Sequence, residues 1–116
     1  MKNLGFKVKH IGLNMQNEAE ALKTANLLFD LFGFEKSEKP LSFFSSPEIE
    51  VMKQKGAGKL GHIAIGTTDI EEARKYLASK GVEFDESSAA YSDDGKLKLI
   101  YLKNDIAGFA FHLLRQ

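Results

Sequence analysis

The amino-acid sequence predicts an α+β fold, in which two βαβββ repeats form a curved mixed sheet, shaped like a cup, with the helices on its outer face. The windows around His10 and His62 align without a gap, 52 positions apart (62 − 10), and each histidine lies among aliphatic residues. The hydrophobic pattern of each half follows the order strand, helix, strand, strand, strand. Because one such unit alone would expose an apolar sheet face, the repeat must bury that face against another layer.

In the first repeat, alternation along the opening strand, residues 6–15, places Val8, His10 and Gly12 on one face. The segment Glu18–Phe32 has apolar residues at spacings of three and four, which is typical of an amphipathic helix, and Gly33 follows as its terminator. Three short extended segments are expected to complete the repeat, at residues 34–37, 41–45 and 49–53.

The second repeat begins with a strand at residues 60–66 that carries His62. A helix over Ile70–Ser79 follows, and Thr68 and Glu71 have the spacing of a capping box at its start. The remaining prediction is a short strand, a polar loop that ends in a turn, and two further strands, at residues 82–84, 85–95, 96–103 and 108–114.

The glycine-rich segment 55–59 is the expected connection between the halves. We therefore expect one domain over residues 1–116, with repeat one at about residues 6–54 and repeat two at about residues 59–116.

Composition excludes several classes of function. The 16 basic and 16 acidic residues cancel and are spread along the chain, so we expect no nucleic-acid partner and no membrane partner. The absence of cysteine excludes disulfides and thiolate chemistry. No apolar run approaches the roughly 20 residues needed to span a bilayer, and the opening residues do not resemble a signal peptide, so a cytoplasmic protein is expected.

All three histidines lie in strand-like segments, and matching the last strands of the two repeats places Glu50 opposite His112. Four metal ligands are thereby predicted: His10, Glu50, His62 and His112. Imidazole with carboxylate suits a divalent Zn, Ni, Mn, Fe or Co ion. Glu48, on the same predicted face, is the alternative to Glu50, and a histidine in an apolar strand can also be an ordinary core residue.

The segments VKHIGL, GHIAI and DIAGFAFHL, at residues 8–13, 61–65 and 105–113, resemble the vicinal oxygen chelate superfamily, which includes glyoxalase I, bleomycin-resistance proteins and extradiol dioxygenases. The resemblance implies paired βαβββ units around a divalent metal, with ligands on the first and last strands of each unit. It departs at His112, where the family pattern has a glutamate, and at Ile106, where it has a proline.

The resemblance implies a glyoxalase-like, metal-dependent protein that acts on a small metabolite with vicinal oxygens through an enolate-type intermediate, as an isomerase, epimerase or lyase. Glu50 and His112 would be the catalytic residues, and Glu50 the only carboxylate base. The alternative is a non-catalytic ligand-binding module of the bleomycin-resistance type. A weaker resemblance links the ending to accessory modules associated with 2-keto-3-deoxy-6-phosphogluconate aldolase. A homodimer is expected, because a cup from a single chain of 116 residues is shallow.

Overall fold

The computed structural model describes residues 3–116, in which the order strand, helix, strand, strand, strand occurs twice. The predicted α+β fold is confirmed, and both helices have the predicted bounds. In chain order the elements are β1 (Lys7–Leu13), α1 (Glu18–Phe32), β2 (Ser37–Glu38), β3 (Ser42–Ser46), β4 (Ile49–Met52), β5 (Gly61–Thr67), α2 (Ile70–Ser79), β6 (Phe84–Tyr91), β7 (Leu97–Leu102) and β8 (Phe109–Arg115).

All the strands belong to one mixed sheet, in the order β2-β3-β4-β1-β5-β8-β7-β6. The first strands of the repeats, β1 and β5, are antiparallel neighbours at its centre. Each is flanked by the last strand of its own repeat. Strand β4 pairs with β1, and β8 pairs with β5, both in parallel. The four strands predicted to carry ligands are therefore adjacent, and side chains on one face of them can converge.

The two helices cover separate hydrophobic cores on the same face of the sheet. Under α1, the small residues Ala21 and Ala25 pack with Phe43 and Val51 of β3 and β4. Under α2, the larger cluster consists of Leu4, Ile70, Ala73, Leu97, Ile100 and Leu113. Burying a side chain such as Ile100 or Leu113 contributes about 1.5–3 kcal/mol, so these clusters hold the sheet and leave its other face to the candidate site.

Each helix begins with a side-chain cap. Asn17 Oδ1 accepts a hydrogen bond from the backbone N–H of Glu20 at 2.8 Å, and α1 ends at Gly33, whose φ of 75° suits glycine. At α2 the cap is Asp69, whose Oδ1 accepts from the N–H of Glu72 at 3.1 Å. The predicted capping box of Thr68 and Glu71 is therefore wrong by one residue. The Thr68 hydroxyl instead donates to the carbonyl oxygen of Leu4 at 3.3 Å.

Within residues 3–116, neither helix is long and apolar enough to cross a membrane.

Strand β6 corrects the predicted polar loop after residue 84. The strand runs from Phe84 to Tyr91 at the edge of the sheet, and its register against β7 shifts between Asp85 and Ala90. The hydroxyl of Ser88 accepts a hydrogen bond from the backbone N–H of Tyr101 at 2.8 Å. The Ser88 hydroxyl thus takes the place of a backbone carbonyl that would accept this hydrogen bond in regular strand pairing. This contact helps to hold the polar segment in the sheet as a strand.

A β-bulge in β1 changes one predicted face. Val8 pairs with Ile65 and His10 pairs with Ala64, so Lys9 is the extra residue. The prediction that Val8 shares a face with His10 is wrong, because the bulge turns Val8 towards the helix side of the sheet. His10 and Gly12 keep the predicted face, since Gly12 pairs with His62 beyond the bulge.

Candidate metal centre

His10 and His62 lie on the two central strands, and their rings cross the cup face of the sheet. The ring of His62 occupies the space above Gly12, where a Cβ atom would lie only 2.1 Å from His62 Cε1. A glycine at position 12 is therefore required by the packing of the histidine, rather than by backbone conformation. His62 is 5% exposed, so the neighbouring strands hold its ring in a restricted position.

All four predicted ligands come together on this face. The Nε2 atoms of His10 and His62 are 3.2 Å apart. Glu50 Oε1 lies 3.0 Å from His62 Nε2 and 3.5 Å from His10 Nε2. His10, His62 and His112 each offer a nitrogen, and the three nitrogens lie within 4.8 Å of one another. Their convergence is a geometric fact, and ligation of a metal by them stays a prediction.

The spacing of these atoms fits a divalent metal. A tetrahedral zinc ion with ligands at roughly 2.0–2.1 Å separates adjacent ligand atoms by about 3.3 Å. The separations of 3.2, 3.0 and 3.5 Å among His10, His62 and Glu50 are close to that value. Imidazole nitrogens and a carboxylate oxygen are also the donors that zinc and related ions bind in proteins. The residues present therefore fit the predicted cofactor.

Glu50, and not Glu48, faces the cup. Glu48 is exposed and lies outside β4, whereas the Glu50 side chain is 15% exposed. The hydroxyl of Ser42, which is buried, donates to Glu50 Oε2 at 2.7 Å and leaves Oε1 directed at the histidines. Burial alone would raise the pKa of the Glu50 carboxyl, but the hydrogen bonds from His62 and Ser42 and the nearby imidazoles together hold that pKa below its usual value.

His112 is the most buried of the three histidines, with 2% of the residue exposed. Burial lowers its pKa to about 4, so the ring is neutral at pH 7. Its Nδ1 lies 3.2 Å from the carbonyl oxygen of Leu113. In the neutral ring Nδ1–H donates to that oxygen, and Nε2 is left with a free lone pair. A buried neutral imidazole with a free Nε2 can serve as a ligand or as a base.

Burial likewise lowers the pKa of His10, together with the charges of His62 and Lys9, while the charge of Glu50 opposes the shift. A neutral His10 is the form that a metal requires.

Tyr101 is a neighbour of the cluster to which the sequence analysis assigns no role. It pairs with His112 across β7 and β8, and the two ring centroids are 4.9 Å apart. Burial raises the pKa of the Tyr101 phenol, and the charge of Glu50 raises it further, so the hydroxyl keeps its proton at neutral pH. The phenol is therefore available as a hydrogen-bond donor next to the histidines.

Asn14 and Arg115 are held by hydrogen bonds to other parts of the chain. Asn14 Nδ2 donates to the carbonyl oxygen of Gly58 at 3.0 Å, and its Oδ1 accepts from the N–H of Gly56, so Asn14 holds the segment between the repeats. Arg115 donates to the carbonyl oxygen of Leu97 and to the hydroxyl of Ser92.

Comparison with protein-family models finds no match, and comparison with curated proteins finds none either.

Solved structures, by contrast, share the fold over nearly the whole chain. A hypothetical protein from Bacillus halodurans is 17% identical, with 97% of this chain and 95% of that chain covered and a TM-score of 0.65. A methylmalonyl-CoA epimerase from Mycobacterium tuberculosis is 15% identical, with 93% and 86% covered and a TM-score of 0.64. Another methylmalonyl-CoA epimerase, in complex with methylmalonyl-CoA and NH4+, is 17% identical, with 98% and 96% covered and a TM-score of 0.63.

These likenesses show that the chain shares its fold with the methylmalonyl-CoA epimerases and with the Bacillus halodurans protein. The fold that the resemblance of the histidine segments implies is therefore confirmed.

Proposed function

We propose that this protein is a metal-dependent enzyme of the epimerase or isomerase kind, which acts on a small metabolite with two adjacent oxygens through an enolate-type intermediate. The observation that supports this proposal best is the convergence of three histidines, His10, His62 and His112, whose nitrogens lie within 4.8 Å of one another. Glu50 Oε1 joins them at 3.0 Å from His62 and 3.5 Å from His10, separations that suit a divalent ion. When bound, the metal would supply Lewis-acid polarisation of the substrate oxygens.

The residues of the chain would divide the remaining work. Ser42 holds one oxygen of Glu50, so the carboxylate keeps a single orientation towards the histidines. Burial keeps His112 neutral, which lets its free Nε2 bind the metal or accept a proton. Tyr101 keeps its proton and would donate a hydrogen bond to negative charge that develops on a substrate oxygen.

The metal can be tested before any substrate is known. The protein would be purified without chelator or affinity tag, and its content of Zn, Ni, Mn, Fe and Co measured. We expect near-stoichiometric metal in the wild type and loss of it in His10→Ala and His62→Ala, with the fold unchanged by circular dichroism. A metal at 100 times its Kd should also stabilise the fold by about 2.7 kcal/mol. Absence of bound metal together with no thermal shift on adding these ions would contradict the proposal.

The epimerase kind is favoured because methylmalonyl-CoA epimerases share the fold at high coverage. Methylmalonyl-CoA in D2O is the first substrate to try, since an enolate-type intermediate exchanges the proton on the carbon next to the carbonyl groups. We expect proton NMR to show loss of that signal with the metal-loaded protein. Glu50→Gln should slow the exchange by about 10²-fold or more, the usual contribution of a positioned acid or base.

The matched control is Glu48→Gln, which makes the same change two residues away on an exposed side chain. It should leave the exchange rate unchanged. If metal binds and methylmalonyl-CoA does not exchange, the substrate class is wrong while the metal centre stands. Lyase chemistry and a cytoplasmic location stay predictions.

A ligand-sequestering module is the second candidate. It is favoured by the contacts of Glu50, whose two oxygens both have partners within the chain, in His62 and Ser42. This function predicts binding of a small ligand in the cup with no metal and no proton exchange, so the metal content decides between the two.

We also propose that the protein forms a homodimer. The helix side of the sheet leaves Val8 58% exposed, and the last turns of α1 leave Leu31 and Phe32 each 62% exposed. Apolar surface of this kind favours association with a second copy.

A further inference from the structure

The β-bulge in β1 places a lysine on the cup side of the sheet. Because Lys9 is the extra residue between Val8 and His10, it opposes the same stretch of β5 as His10 does. Its aliphatic stem lies against Gly66, where a Cβ atom would be 2.7 Å from Lys9 Cγ and 2.9 Å from Lys9 Cδ. Gly66 shares the face of His62, since side chains two and four positions apart on a strand point the same way. The stem of Lys9 therefore lies on the same face of the sheet as His62.

Gly66 has a φ outside the left-handed region, so backbone conformation does not require a glycine there. A larger residue at this position would displace the stem of Lys9, which occupies the volume that its Cβ atom would need. The glycine and the bulge together leave room for the aliphatic stem of Lys9 on the cup face.

The Lys9 ammonium has no carboxylate partner within the described part of the chain, unlike Lys53, which pairs with Glu38 at 2.7 Å. Glu50, the carboxylate of the cup, is held by Ser42 and His62. Lys9 is only partly exposed, and its charge is close enough to contribute to the lowered pKa of His10. Lys9 thus brings a positive charge to the cup face that no carboxylate among residues 3–116 pairs with.

The predicted metal centre adds to this excess of positive charge on the cup face. Three neutral imidazoles and one carboxylate around a divalent ion carry a net charge of about +1, whereas a second carboxylate at position 112 would bring it to about zero. Positive charge from the site and from Lys9 therefore lies on the same face, with partly buried walls that weaken screening by solvent.

We propose that Lys9 is a specificity-determining residue that binds a second anionic group of the substrate, a carboxylate, while the adjacent oxygens of the substrate lie at the metal centre. This inference rests on the proposed function and names its substrate class: a metabolite with two adjacent oxygens and a further carboxylate. The stem of Lys9 lies at Gly66, two residues along β5 from the Ala64 that pairs with His10. Lys9 acts on binding and takes no part in proton transfer.

Two probes of equal chain length test the inference. 2-Oxoglutarate and 2-oxopentanoate share the 2-oxo acid group, and only 2-oxoglutarate has a distal carboxylate. Isothermal titration calorimetry on the zinc-loaded protein would give the Kd of each probe. We expect 2-oxoglutarate to bind about three- to tenfold more tightly, and the advantage to shrink as NaCl is raised.

The variant Lys9→Met keeps the apolar stem and removes the charge. It should abolish the preference for 2-oxoglutarate and leave the Kd of 2-oxopentanoate unchanged. The matched control is Lys75→Met on α2, where a 75% exposed lysine lies on the outer helix. That variant should keep the preference.

The outcomes separate the two proposals. If both probes bind with equal Kd, or if Lys9→Met keeps the preference, the role of Lys9 is wrong and the metal-dependent function stands. If zinc is bound and neither probe binds, the inference fails together with the proposed recognition of adjacent oxygens.

Discussion

At the scale of single residues, the candidate site depends on contacts between side chains that are distant in sequence. Gly12 and His62 illustrate this dependence, because the histidine can occupy its place only if position 12 has no side chain. Ser42 and Glu50 form a second such pair, in which a buried hydroxyl fixes one oxygen of the carboxylate. Orientation of the predicted ligands is thus supplied by residues that bind no metal themselves.

Gly12→Ala should damage the site with little effect on the rest of the fold. The new methyl group would overlap the His62 ring, so the ring must move away from Glu50 and His10. We expect the affinity for zinc to fall about tenfold or more and the free energy of unfolding to fall by about 1–3 kcal/mol. The control is Gly56→Ala, where the added Cβ atom would lie 3.5 Å from its nearest neighbours, an ordinary contact distance. Equal zinc affinity in both variants would contradict the packing of the His62 ring against Gly12.

His112 should make the metal-free protein less stable in acid. Its pKa is about 4 in the folded state and about 6.5 when unfolded, so between these values the unfolded chain binds a proton that the folded chain does not. Stability is therefore complete above pH 6.5 and falls as the pH is lowered towards 4. We expect a loss of about 2–3 kcal/mol from this group, measured by urea unfolding with EDTA at pH 7.5 and 4.5. His112→Phe should lose less over the same range; an identical loss would show that another group is responsible.

At the scale of elements, the two helices matched their predicted bounds because each has a local stop or start signal. Asn17 and Gly33 bracket α1, and their roles follow from side-chain and backbone preferences alone. Strand β6 was harder to predict, since an edge strand needs no apolar face and Ser88 supplies a hydrogen bond of its own. Local chemistry therefore predicts helices here better than it predicts edge strands.

Substitutions at two nearby residues, Asp69 and Glu71, test which side chain caps α2. Asp69→Ala should reduce the free energy of unfolding by about 1 kcal/mol, because the backbone N–H of Glu72 loses its acceptor. Glu71→Ala, in the same turn, should change it by less than about 0.5 kcal/mol, since Glu71 is exposed and takes no part in the cap. Chemical denaturation of both variants gives the comparison. A larger loss in Glu71→Ala would support the capping box in place of the Asp69 cap.

At the scale of the whole molecule, the sheet order decides the site. The first and last strands of both repeats occupy its four central positions, and this order brings together residues as distant as positions 10 and 112. The helices cover one face in two separate cores, which leaves the other face to polar side chains. The cup is thus a consequence of pairing two repeats through their first strands.

Sedimentation at micromolar concentration should give the mass of a homodimer, about twice the 12.9 kDa of the chain. Apolar side chains such as Val8, Leu31 and Phe32 would be covered in the pair. A strict monomer over the accessible concentration range would contradict this prediction.

The repeat, the fold class and the four converging residues could be predicted from the sequence, because they depend on patterns that recur within the chain. Gapless alignment of the windows around His10 and His62 identifies equivalent strands, and equivalence of the last strands adds Glu50 and His112. Periodicity of side chains decides which residues can share a face, and no tertiary information is needed for that step.

Only the tertiary structure decided the choice of Glu50 over Glu48, the hydrogen bond from Ser42, and the bulge between Val8 and His10. The physical reason is that these features depend on register between strands far apart in sequence, where a shift of one residue exchanges the two faces. The sequence by itself determined which side chains are available to the cup. Strand pairing determined how close they lie, and with that the separations of about 3 Å that favour a metal.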